Sequence, residues 1–203
     1  MMFAMNDAVD AKPARGRRRN DPGATRSAVL DAAFDLFQAQ GYNATGVHDI
    51  ARKAAVTGGA LHHHFGTKKA IGLAVIRERA GPALQETWLE PVRNARTARR
   101  GIMSVFARVA DQLDRQGTVQ GCPVNNLTLE LAFADPDYRS ELFLLFDLWR
   151  ATIAEKLRGE GVEDSAALAA LTVAGYSGAM AMAKVEQGSG PLRLCAFELE
   201  KRL

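Results

Sequence analysis

Three consecutive histidines, His62-His63-His64, are the first residues along this chain whose type and clustering suggest chemistry. Imidazoles ligate metals, donate to phosphates and move protons. On a helix, neighbouring side chains point about 100° apart, so three in a row cannot close on one ion. The fourth histidine, His48, joins such a set only by chance. Metal binding is set aside and no cofactor is expected; the three rings are read as facing different surroundings, with His64 turned toward a core. The second candidate is Cys122, in Gly121-Cys122-Pro123-Val124-Asn125-Asn126-Leu127. Proline suits the first turn of a helix, which places the thiol at a positive helix end, where its pKa falls and it becomes reactive. The alternative is a small buried residue, with Asn125 and Asn126 satisfying the helix end. A catalytic cysteine also needs a base. All four histidines lie in the first third of the chain, so no enzyme is expected. With one further cysteine, Cys195, and no metal-type spacing, a reducing, cytoplasmic compartment is expected.

A third candidate group is basic. Arg17 and Arg18 sit within Arg15-Gly16-Arg17-Arg18-Arg19. Residues 1–80 hold 12 Lys/Arg against 7 Asp/Glu, whereas residues 81–203 hold 14 against 16. An excess confined to one end suits a polyanion-binding module, and a solvated basic tail would produce it equally well. Residues 1–24 are poor in large apolar side chains and interrupted by Pro13, Gly16, Pro22 and Gly23, so a disordered basic arm is expected. Such an arm either stays in solvent or reaches into a minor groove beside a helix-turn-helix.

The elements that must position these residues follow from periodicity. Leu30, Ala33, Phe34 and Phe37 recur at helical spacing, flanked by Val29 and Leu36, which predicts an amphipathic helix capped by Thr25 and stopped at Gly41. Thr45 is expected to cap a short second helix carrying Val47, Ile50, Ala51 and Ala54. Thr57 is expected to cap a third, after the tight connection Ala55-Val56. Two short helices so joined make a helix-turn-helix. Lys68 opens a longer helix, expected to end before Gly81-Pro82, and helices follow at about 83–94, 98–115, 123–134, 136–158, 165–187 and 191–202. The expected fold class is all-α: an arm (1–24), a three-helix DNA-binding head (25–67) and a helical ligand-binding and dimerisation domain (68–203). No run of 18 apolar residues occurs, so no membrane span is expected.

Residues 25–75 resemble, without gaps, the DNA-binding domain of the TetR family of transcriptional regulators. The resemblance is carried by Gly41-Tyr42, Thr45, Asp49-Ile50-Ala51, Val56-Thr57, Gly59-Ala60-Leu61, His64-Phe65 and Lys68. It implies a homodimer on a double-stranded, palindromic DNA operator, acting as a repressor released by a small-molecule or electrophile effector. Positions matching Thr45, Thr57, Gly59, His62, His63 and Lys68 would face DNA, and His48 and Gly58 complete the expected set. Three departures stand out: Ala55 replaces a common turn glycine, Gly58 an often basic position, and His62 a customary tyrosine. The Gly-Cys-x-x-x-Asn segment resembles a signature in part of the family, some of whose members sense electrophiles. An effector pocket is expected to draw on Trp88, Phe106, Phe146 and Trp149, with Cys122, Asn125 and Asn126 as polar groups, although aromatics at helical spacing are also ordinary core. Small residues along 165–187 permit close helix approach, so this helix and the one before it are expected to form a four-helix dimer interface.

Overall fold

The computed structural model describes residues 22–203, and every regular element among them is helical. Arg17 and Arg18 lie outside the described residues. Helix α1 (Pro22–Gln40) buries Val29, Leu30, Ala33 and Phe37, the predicted stripe. It begins ahead of Thr25, which is therefore not its cap; the fixed φ of Pro22 already suits a first turn. The helix stops at Gly41, where φ is +88° and a Cβ would stand 2.7 Å from the Glu130 carboxylate.

Helices α2 (Val47–Lys53) and α3 (Gly58–Phe65) form the helix-turn-helix. Gly46, not Thr45, caps α2, its N–H donating to Asp49 Oδ2 at 3.2 Å. Thr45 is only 1% exposed, and its hydroxyl donates to the Gly41 carbonyl at 2.7 Å. The hydroxyl expected to meet a phosphate instead ties down the loop between α1 and α2. The turn into α3 closes with Val56 N–H on the Ala51 carbonyl (3.0 Å) and Ala55 N–H on the Arg52 carbonyl (3.2 Å). This is the paired-bond helix stop that normally ends on a left-handed glycine. Here the left-handed residue is Ala55, with φ of +53°.

The helix opened by Lys68 does not end before Gly81-Pro82. Lys68–Val75, Ile76–Ala80, Gly81–Leu84, Gln85–Leu89 and Glu90–Asn94 follow without interruption and make one helix, α4 (68–94), in which Ile76–Ala80 and Gln85–Leu89 are π-helical. Each wide turn lies just before a proline, and both freed carbonyls find donors. Pro82 cannot reach the Glu78 carbonyl, which accepts from Arg79 Nη1 at 2.8 Å. Pro91 cannot reach the Thr87 carbonyl, which accepts from Arg108 Nη2 at 2.6 Å. Arginine guanidinium groups thus replace the missing backbone donors, and the helix passes both prolines.

Beyond a short loop come α5 (Ala98–Gln116), α6 (Pro123–Leu131), α7 (Pro136–Gly159), α8 (Ser165–Glu186) and α9 (Gly190–Glu200). A single apolar core runs from Phe37, Ile50 and Leu61 in the head, through Ile71 and Val75, into the body. There Trp88, Phe106, Trp149 and Tyr176 interlock, with ring centroids 4.8–5.7 Å apart. Helix α8 packs between α7 and α9. By length and composition it could cross a membrane, with a mean hydropathy of 1.5 over its most apolar window. Yet Ala169, Val173, Tyr176, Met180 and Ala183 bury one of its sides in the body. Leu171, Met182 and Val185 stay exposed, as do Phe143, Leu144 and Leu148 of α7 and Leu194 and Phe197 of α9.

Candidate DNA-binding surface and effector cavity

Leu61, buried in the head core, fixes which side of α3 faces outward. At its start, Thr57 Oγ1 accepts from Ala60 N–H at 3.1 Å, leaving the hydroxyl proton for an outside acceptor such as a phosphate. Gly58 and Gly59 are exposed, and a Cβ on either would meet nothing within 4 Å, so the backbone is open to close approach. His62 and His63 are exposed, while His64 is half-buried with its ring centroid 6.4 Å from that of Phe65. His48 is exposed on α2. Lys68 is less free than expected: its Nζ stands 4.3 Å over the Tyr42 ring and 3.5 Å from the Asn43 carbonyl, and partial desolvation lowers its pKa. Thr67, which the sequence reading did not single out, is exposed and caps α4, accepting from Ala70 N–H at 3.1 Å. Thr57, Gly58, Gly59, His48, His62 and His63 are thus each exposed, whereas Thr45 is withdrawn.

Behind this surface, the head is clasped to the body. Glu130 at the end of α6 accepts from Tyr42 N–H (3.1 Å) and Asn43 N–H (2.9 Å), so one carboxylate holds the turn after α1. The Tyr42 and Tyr138 hydroxyls meet at 2.7 Å, and burial raises the pKa of both. Lys69 bridges Asp135 (2.6 Å) and Asp137 (2.8 Å), while Arg26 pairs with Glu78. The hydrogen bond from Arg26 holds the Glu78 carboxyl below the usual range.

A cavity of about 260 Å³ opens between α1, α4, α5, the segment before α6, and α8. Of the expected pocket residues, Trp88 and Cys122 line it. Phe106 and Trp149 stand behind Trp88 in the aromatic core, and Phe146 stacks on Trp149 at 6.0 Å. Asn125 faces away, accepting from Ser177 Oγ at 3.1 Å. Asn126 lies outside the wall but donates to Gln38 Oε1 at 2.9 Å. Gln38 and Tyr176, both on the wall, escaped the sequence reading: each looks like one more residue on an apolar helix face. Cys122 starts α6 as expected, but its thiol pKa is raised, because burial outweighs the nearby backbone N–H groups of Asn125 and Val124. It sits in the cavity as a neutral thiol.

Comparison with known proteins agrees with this division. Residues 29–75 match the family described as bacterial regulatory proteins, tetR family, and residues 98–198 match the transcriptional regulator LmrA/YxaF-like C-terminal domain. An uncharacterized HTH-type transcriptional regulator encoded in the lacX 3' region of Lactococcus lactis subsp. lactis is 30% identical over 173 residues, spanning 80% of this chain and 85% of that protein. The HTH-type transcriptional repressor DhaR of Mycobacterium sp. (strain GP1) is 29% identical over 181 residues, 82% of this chain and 86% of DhaR. In three dimensions, the regulatory protein TetR from Rhodobacter sphaeroides superposes with a TM-score of 0.78 at 24% identity, covering 87% of this chain and 97% of that one. These two relatives are named as a transcriptional regulator and a transcriptional repressor. With an all-α fold, a helix-turn-helix head and a matching regulatory domain, this chain belongs to the TetR family of bacterial transcriptional regulators.

Proposed function

We propose that this regulator is a homodimeric repressor, released from a palindromic operator when a small molecule fills the cavity between head and body. The observation that carries the reading is the continuity of α4. Its first turn lies next to the recognition helix α3, and Leu84, Thr87 and Trp88 further along form part of the cavity wall. A ligand that favours one setting of this helix therefore biases the placement of α3, by no more than its difference in affinity for the two settings. The wide turns ahead of Pro82 and Pro91 are the natural places for such a helix to flex.

Dimerisation is supported by the outward apolar rows on α7, α8 and α9, which a second copy of the chain would cover. Packing two copies across these rows brings α9 into an interface that the sequence reading gave to α7 and α8. A two-fold dimer would present its two α3 helices to successive major grooves. The buried, neutral Cys122 favours a non-covalent effector over an electrophile, so Cys122→Ser should keep release intact. The arginine arm ahead of Pro22 is assigned to an adjacent minor groove; removing residues 1–20 should weaken binding and flatten its salt dependence.

The test is a footprint of the full chain on DNA flanking its own gene, repeated over a salt series and with a panel of uncharged and anionic organic compounds. Two-fold symmetric protection that one class of compound abolishes is expected. Protection without symmetry, or symmetric protection that no compound disturbs, would remove the dimer or the effector from the account.

A further inference from the structure

The polar groups on the cavity wall have one polarity, and it is not the polarity of a charged-ligand site. Gln38, Thr87, Gln112, Gln116, Gln120 and Tyr176 are neutral, and among the described residues no Asp, Glu, Lys, Arg or His lines the space. An ion stripped of water there would find no counter-charge. Two wall residues bury N–H donors that find no partner among the described residues: Nε2 of Gln38, a residue 8% exposed, and Nε1 of Trp88, 1% exposed. The Trp88 nitrogen lies toward the Tyr176 hydroxyl without forming a hydrogen bond of acceptable geometry. Buried donors are almost always paired, so an orphan on a cavity wall points to a missing acceptor.

For Gln38 the orientation of the amide is fixed by a relay. Lys184 Nζ can only donate, and it stands 3.4 Å from Asn126 Oδ1. That sets Asn126 Nδ2 as the donor, to the Gln120 carbonyl and to Gln38 Oε1, both at 2.9 Å. Gln38 Oε1 is thereby used, and what remains on offer is Nε2, a donor. Asn126, expected to touch ligand, is instead the residue that orients one. Gln38 also stands on α1, inside the DNA-binding head, with Phe34 of the same helix on the same wall.

We propose that the effector is an uncharged, largely apolar molecule whose ketone, ester or similar oxygen accepts from Gln38 Nε2, so that the DNA-binding head itself grips the ligand. This rests on the cavity being the effector site. It adds a route that bypasses α4: a ligand held by α1 on one side and by the body on the other changes the seating of the head directly.

Three probes of related shape separate the possibilities: benzophenone, diphenylmethane and diphenylacetate. Their affinities are measured by calorimetry on the full-length chain and on Gln38→Met and Gln38→Glu, with folding of each checked by its thermal transition. In the parent chain benzophenone should bind about tenfold tighter than diphenylmethane, the scale of one buried hydrogen bond, and diphenylacetate should bind more weakly than the ketone. Gln38→Met should bring the ketone and the hydrocarbon to the same affinity. Asn126→Leu should reduce the difference without abolishing it. Equal affinities in the parent chain, tightest binding of the carboxylate, an unchanged ratio in both Gln38 variants, or binding of none of the three would each overturn the proposal. Operator release is read separately: a ketone that binds with the expected pattern but leaves DNA bound would sink the effector reading while upholding the chemistry of the cavity.

Discussion

The head and the body both hold hydrogen-bonding groups ready for a partner, and they hold them in opposite places. Thr57, His62 and His63, the proposed DNA contacts in the head, present theirs outward at the start of α3 and along it, where water satisfies them. In the body, Trp88 keeps its indole N–H inside, out of reach of bulk solvent, as Gln38 does its amide where α1 of the head meets the body. A solvated group costs the fold nothing when idle and gains little per contact; a buried idle donor costs stability that a matching ligand restores. The two sites should therefore answer differently to substitution. In the head, function and stability should separate; in the body, they should move together.

The largest effect is expected where they move together. Trp88 is wrapped by Phe106, Trp149 and Tyr176 and also forms cavity wall, so Trp88→Ala should cost about 3–5 kcal/mol in urea unfolding and abolish ligand binding. A loss below about 1 kcal/mol would mean that the aromatic cluster does not hold the body together. His62→Ala and His63→Ala should show the reverse pattern. Operator affinity should fall by roughly 1–3 kcal/mol for a base contact, with unfolding free energy unchanged within about 0.5 kcal/mol. Equal losses in both measurements would erase the proposed contrast between the regions.

Between the regions stands the Glu130 clasp. Glu130→Gln keeps an acceptor but removes the charge and one of two bonds to backbone N–H groups, a loss of about 1 kcal/mol at this half-exposed site. Amide exchange at Tyr42 and Asn43 should speed up accordingly, while exchange in α5 stays as it was. Unchanged exchange at both amides would show that the turn is held by the Tyr42–Tyr138 pair alone.

How much could be read from the sequence follows the same divide. Head features are local: Thr57 caps the helix that starts next to it, and Ala55 lies where a turn needs a left-handed residue. Short-range spacing encodes the first, and the family resemblance pointed to the second. Thr45 failed because its partner is the Gly41 carbonyl, reached only once the loop curls back, whereas its neighbour Gly46 caps α2. In the body the decisive contacts join distant positions: Gln38 to Asn126, Arg108 to Thr87, Glu130 to Tyr42. Gly81-Pro82 reads as a helix end, yet α4 continues past its prolines, with Arg79 and Arg108 from outside that local pattern donating to the carbonyls the prolines leave free. The aromatics were found as a group, but which of them face a void depends on packing that no spacing records.

The smallest effect tests the division at the level of single backbone torsions. Each region has one non-glycine residue at positive φ among the described residues: Ala55 at +53° in the head and Gln187 at +52° in the body. Both end a helix, and for both the left-handed conformation costs about 1–2 kcal/mol relative to glycine. Ala55 has only a methyl group there, which gives nothing back. Ala55→Gly should therefore stabilise the chain by about 0.5–1 kcal/mol, the gain being trimmed by the greater freedom of glycine in the unfolded state. Operator affinity should be unchanged, since the turn geometry is kept. Gln187 differs: its Oε1 accepts from Val119 N–H at 3.0 Å, and its Nε2 donates to the Lys184 carbonyl at 2.6 Å. Nε2 also donates to the Val119 carbonyl at 3.3 Å, so relief of strain in Gln187→Gly is offset by three lost hydrogen bonds, and that substitution should be neutral or destabilising. Paired thermal transitions of the two variants decide the matter. A gain at Gln187 equal to that at Ala55 would mean that the body, like the head, carries its strain without compensation.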